Sequence, residues 1–321
     1  IELKNAIQEA PDNGQARFLL GKVYVERGAA AAAEKELGQA LKLGYDKNEV
    51  LPLLAKAYNL QFRSIEVVDL VNESRHLEPR AQTAMLVYQA LAYYQLDKPA
   101  KAKQSINLAK EISTDSIYSK LGSAYLAFSE NQMDISLVKT DVILAQQPDF
   151  TEALLLKGQL AALKKDNELA VASFKKYQAL LPDLISARII LANAYIKNKQ
   201  YEAAEKYLDQ LLQMNGVLPF VNQLKGFVRF QALDFENAKL YTEVAIQNGL
   251  STIPNRIVAG ISSLQQKKHE QAYQHFSAVS GDLNAEHPIQ KLLATVELKL
   301  GYNVAAADKL TKLQGLTQDD I

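Results

Sequence analysis

Residues 16–44 read ARFLLGKVYVERGAAAAAEKELGQALKLG. Gly21 is followed three positions later by the bulky Tyr24 and nine after that by the small Ala33, and this small–bulky–small pattern returns along the chain. Its first small residue recurs at Ala55, Ala90, Gly122, Gly158, Ala192, Gly226, Gly260 and Ala294, at intervals of 34, 35, 32, 36, 34, 34, 34 and 34 residues. The second keeps the same beat at Ala170, Ala204, Ala238, Ala272 and Ala306. A period held over nine copies marks a repeat array, in which each unit buries its apolar face only against its neighbours.

The unit is a pair of antiparallel helices. Small residues let two helices close at short interaxial distance, and Tyr24, Tyr58, Tyr93, Tyr125 and Tyr195 fill the volume beside them. Pro11, Gly44, Pro79, Pro148, Pro182, Gly216 and Gly249 are read as closing second helices, with Asp12, Asn13, Asp149 and Asp183 capping the helices that follow. No segment alternates as a strand does. The expected fold is all-α: one continuous solenoid of about nine helix pairs over residues 1–321, beginning at Ile1 in the second helix of a truncated pair. The short interval before Gly122 and the long one after it predict an irregular middle pair with a longer inner turn.

Lysine plus arginine balance aspartate plus glutamate at 36 each, so no net field gathers phosphates, and nucleic acid is not an expected partner. The lysine pairs 164–165, 175–176 and 267–268 form no stripe. Without cysteine there is no disulfide, thiolate nucleophile or thiolate metal site. His269 and His275 in HEQAYQH are six apart, off the spacing of a helical metal site, and the four histidines are read as surface or turn residues. The mid-helix glycines are isolated and on the beat, unlike a phosphate cradle, and no serine sits in a nucleophile turn. The expectation is no enzyme, no cofactor and no metal.

These residues make the chain resemble the tetratricopeptide-repeat superfamily over essentially its whole length. That resemblance implies a right-handed superhelix whose first helices line a concave binding face. More narrowly, ELKNAIQEAPDNGQARFLLGKVYVERGAAAAAEKELGQALKLG (2–44) followed by VLPLLAKAYNLQ (50–61) resembles the repeat lipoproteins of PEP-CTERM sorting and exopolysaccharide systems in Gram-negative bacteria. This likeness implies a periplasmic protein that meets the membrane only through a lipidated N-terminus outside the present sequence, with sorting or polysaccharide-export components as partners. A cytoplasmic location is the alternative.

Counting around the beat gives inward positions. In early pairs they are mostly polar: Gln15, Phe18, Lys22, Glu26, Glu49, Lys56 and Asn59. In later pairs they are mostly apolar: Ile189, Asn193, Ile196, Lys197, Phe220, Gln223, Phe227, Phe230, Ile257, Ile261 and Leu264. Phe220, Phe227 and Phe230 share a helical face and form the expected anchor for a protein or peptide, with Phe230 and Gln223 facing the partner. The carboxylate clamp of related repeat proteins requires lysine four residues before asparagine. Ile189 stands in that place before Asn193. A glycan-contacting scaffold is the alternative, and it would require several of the 15 tyrosines to lie outside the core.

Overall fold

The small residues of the beat lie mid-way along first helices, and Gly21, Gly158, Gly226 and Gly260 press against the second helix of their pair. The computed structural model describes residues 2–71 and 76–312, and among these the chain forms nineteen α-helices. After α1 (Glu2–Glu9) come α2/α3 (Gly14–Arg27, Ala30–Lys42), α4/α5 (Lys47–Leu60, Ser64–Leu70), α6/α7 (Pro79–Gln95, Pro99–Ile112), α8/α9 (Ile117–Ser129, Met133–Gln146) and α10/α11 (Thr151–Leu163, Asn167–Leu180). Then follow α12 (Ile185–Lys197), α13 (Tyr201–Met214), α14/α15 (Pro219–Gln231, Phe235–Gln247), α16/α17 (Ile253–Gln265, His269–Ser280) and α18/α19 (Pro288–Lys299, Asn303–Lys312). The residues group into two compact units, Ile1–Ala194 and Tyr195–Ile321, each taken by itself below.

The reason for the small residue is steric. A Cβ on Gly158 would stand 2.3 Å from the ring of Phe174, one on Gly260 2.4 Å from the ring of Phe276, one on Gly226 2.6 Å from Thr242 and one on Gly21 2.7 Å from Leu37. In every case the opposing residue lies sixteen positions on. The second-helix alanines Ala33, Ala170, Ala204, Ala238, Ala272 and Ala306 are buried within the pairs.

The middle pair is regular. Ser136 occupies the second-helix small position of α9, is fully buried, and its hydroxyl donates to the Ala124 carbonyl at 2.8 Å. The first-helix beat of α8 is therefore Ala124, not Gly122. With that residue the intervals become 34, 35, 34, 34, 34, 34, 34 and 34, and the inner turn 130–132 has ordinary length.

Seven residues beyond each beat position the chain turns through the left-handed region, at Gly28, Phe62, Asp97, Asn131, Lys165, Lys199, Leu233, Lys267 and Gly301, with φ between 54° and 81°. The next amide donates back five residues, as in Ala29 to Tyr24 (2.8 Å) and Gln200 to Tyr195 (2.8 Å). This Schellman closure satisfies the last carbonyls of the first helix. Only two of the nine are glycine, so these turns carry no glycine signal in the sequence.

Three local expectations are corrected. Pro79 opens α6 instead of closing a helix, its missing N–H being harmless in a first turn, and the turn at 61–63 was not foreseen. Asn13 does cap α2, accepting from the Ala16 amide, but α10 begins after Phe150 without a side-chain cap, so Asp149 plays no such part. Asp183 instead pairs with Arg27.

Gly158→Ala is expected to destabilise the protein by about 1–2 kcal/mol, overpacking against Phe174 outweighing the better helix propensity. Gly38→Ala, on α3 with nothing near the added methyl, is expected to stabilise by about 0.5–1 kcal/mol. At the exposed turn, Leu233→Gly is expected to stabilise slightly, by about 0.5 kcal/mol, by relieving a positive φ. Denaturant unfolding of the three variants checks both signs.

Candidate binding sites

In the first unit the positions one and four residues beyond the beat face inward. They are Lys56, Leu91, Tyr125 and Gln159, with Asn59, Tyr94 and Phe128. The ends of the unit meet. The guanidinium of Arg27 donates to both carboxylate oxygens of Asp183 at 2.7 and 3.1 Å, and the Asp183 amide donates to the Arg27 carbonyl at 2.9 Å. Beside this seam Gly28 (φ 79°) admits no side chain, because a Cβ would lie 2.7 Å from Leu184 Cβ. The ion pair is well exposed and contributes little, so the seam holds mainly through Leu181 and Leu184 packed on the bare glycine.

The enclosed space is a cavity of about 640 Å³ lined by residues of α4, α6, α8, α10, α11 and α12. One charged cluster crosses it. Lys56 Nζ lies 3.0 Å from Glu152 Oε1 and donates to Thr151 Oγ1 at 2.8 Å. Tyr88 donates to Glu152 Oε1 at 2.7 Å and Thr151 to Oε2 at 2.9 Å. Burial by itself pushes the Glu152 carboxyl up, but Lys56 and the Tyr88 hydroxyl outweigh it and hold the group below the ordinary carboxylate range. Burial, and then the Glu152 charge, push the phenols of Tyr125 and Tyr177 well up. The same two causes bring Tyr118 to about 12. These phenols are protonated at neutral pH.

Of the early inward positions read from sequence, Lys56 and Asn59 line this cavity. Phe18 does not: it is buried, with its ring stacked on Tyr45 at 4.5 Å. The sequence reading missed Tyr94, Tyr125, Phe128 and Glu152. Counting from Gly122 had assigned Tyr125 to packing and passed over Phe128.

Ile189 and Asn193 also belong to the first unit and are half-buried, Ile189 lining a shallow depression with Phe62. The second unit carries the other nine late positions. Ile196 is buried and Lys197 exposed. On α14, Phe220 and Phe227 are 44% and 36% exposed, while Gln223 is half-buried. Phe230, expected to be the more accessible ring, is half-buried edge-on to Phe235 at 5.9 Å. Ile257, Ile261 and Leu264 on α16 are partly buried against the Phe276–Leu293 core.

The face of α14 toward α13 is fixed by Lys225, 1% exposed, whose Nζ donates to Glu205 at 2.6 Å and Asp209 at 2.6 Å, while Arg229 reinforces Glu205 at 2.5 Å. His275, read as a surface or turn residue, is buried between Glu243 (3.3 Å) and Arg256 (3.4 Å). Among the described residues no three His, Cys, Asp or Glu side chains are grouped to hold a metal, and no helix is long and apolar enough to cross a membrane.

Because the folded pKa of Glu152 is lowered, its contribution is complete above the unfolded value of about 4.3 and is lost as pH falls through the lower folded value. The wild-type protein should therefore lose more thermal stability between about pH 5 and about pH 3 than Glu152→Gln does. Parallel melting curves over that range would contradict the assignment.

Tetratricopeptide-repeat family models match residues 2–57, 141–185 and 185–217. No curated protein matches the sequence. Among solved structures the chain is similar to that of Pseudomonas aeruginosa pilF, at 16% identity and TM-score 0.54 over 63% of this chain and 92% of the other. It is also similar to PilW, a widely conserved type IV pilus biogenesis factor, at 17% identity and TM-score 0.51 over 62% and 92%. At these identities the likeness speaks to fold alone. Helix pairs on a 34-residue beat, small residues at their crossings and three family matches lead to one conclusion: the chain belongs to the tetratricopeptide-repeat superfamily.

Proposed function

We propose that the chain holds an apolar segment of a protein partner on the face of α14 that carries Phe220 and Phe227, the array acting as one continuous solenoid. The observation that carries this reading is the pair Phe220 and Phe227, seven residues apart on one helical face and 44% and 36% exposed. Exposed aromatic rings bury large apolar area at low entropy cost, and the Lys225 cluster on the face toward α13 holds the helix that presents them. Gln223 lies on the same face, one turn from each ring, and supplies an amide to orient a bound main chain. Within the second unit, Ile196, Lys197, Phe230, Ile257, Ile261 and Leu264 complete the proposed binding set.

The setting we propose is the bacterial envelope, in protein sorting or exopolysaccharide export, with the intact protein lipid-anchored in the periplasm. Support comes from the resemblance of residues 2–61 to repeat lipoproteins of such systems. Direct contact with glycan is less well supported, because of the fifteen tyrosines Tyr302 alone is exposed.

The test is affinity capture from envelope and soluble fractions of the encoding organism, comparing the chain with its Phe220→Ala/Phe227→Ala variant. The expected result is one envelope protein captured by the parent and reduced at least about tenfold by the variant, as hot-spot truncation produces. Equal capture by both would remove α14 from the account, and capture from the soluble fraction alone would remove the envelope.

A further inference from the structure

Beyond the scaffold role, we propose that the cavity of the first unit is a binding site for a compact uncharged molecule with an apolar body and a carbonyl-type oxygen that accepts hydrogen bonds from Tyr125 and Tyr177. A cavity of about 640 Å³ falls within the usual range of small-molecule sites. Leu60, Leu91, Phe128, Leu155 and Ile190 supply its apolar walls.

Charge complementarity sets the first limit on the ligand. Lys56 and Glu152 spend their hydrogen bonds on each other, Thr151 and Tyr88. A carboxylate, phosphate or amine entering the site would be desolvated with no free counter-charge to meet it. The occupant is therefore neutral.

The hydroxyls set the second limit. Tyr125 and Tyr177 line the cavity and interact with each other and with Glu152, yet neither hydroxyl has a hydrogen-bond partner among the described residues. Tyr177 is only 3% exposed. Two O–H donors at the wall of a cavity whose surface is mainly apolar match an oxygen acceptor on an otherwise apolar molecule. An extended peptide would bring an amide and a carbonyl at every residue, and a sugar a hydroxyl at nearly every carbon, which mostly apolar walls leave unpaired.

The probe is 6-propionyl-2-dimethylaminonaphthalene, which is uncharged, apolar and bears one ketone whose emission reports hydrogen bonding. We expect saturable one-to-one binding to the full chain. Tyr125→Phe/Tyr177→Phe removes two oxygens and adds no volume. It should weaken binding about tenfold, in line with two modest hydrogen bonds, and shift bound-probe emission to the blue. Leu155→Trp, or Ile190→Trp should the first not fold, should abolish binding while leaving the melting transition cooperative.

Absence of saturable binding overturns the proposal. So does unchanged affinity and emission in the phenol variant. Equal affinity for the anionic probe 1-anilinonaphthalene-8-sulfonate would refute the neutral-ligand argument, and displacement by maltose would reassign the cavity to sugars. None of these outcomes bears on capture of a protein partner by α14.

Discussion

The closest approach of two helices within a pair sets everything else in this structure. At Gly158 and Gly260 the opposing phenylalanine ring occupies the place a methyl would take, so the interaxial distance is as short as side-chain sterics allow. Once that contact is fixed, helix periodicity fixes the remainder of the pair. Positions one and four beyond the beat turn inward, and the seventh ends the helix in a left-handed turn. Stability is thereby distributed pair by pair along the array.

In the first unit the repetition closes on itself. Contacts separated by 156 residues in sequence bring the turn after α2 to the turn before α12, and Lys56 reaches Glu152 across the interior. A carboxylate so deeply buried is tolerated only because a lysine, a phenol and a threonine satisfy it together. The result is an interior that is charged in parts and neutral as a whole. Such a space suits an uncharged guest and separates the first unit's chemistry from the exposed rings on α14.

The period, the helix-pair fold and the late aromatic residues could all be read from sequence because each depends on spacing within one helix or one repeat. Choosing Gly122 over Ala124 was the instructive error. Both are small, and only the buried Ser136 hydroxyl on the Ala124 carbonyl tells them apart. That two-residue slip hid Tyr125 and Phe128 from the list of inward residues. The left-handed geometry of the inner turns was not legible, since Phe62, Lys165 and Leu233 look like ordinary helix residues. Arg27 with Asp183, and Lys225 with Glu205 and Asp209, depend on tertiary placement that no local pattern encodes.

The central claim is that the first unit closes at the Arg27–Asp183 seam and so creates its cavity. The absence of cysteine makes a direct measurement possible, because labels can be placed at Ala31→Cys and Ile185→Cys alone, two exposed positions beside the seam. Pulsed electron–electron resonance between them should give one narrow distribution at the short end of the measurable range. A broad distribution at long distance would show an open unit, with neither seam nor enclosed cavity.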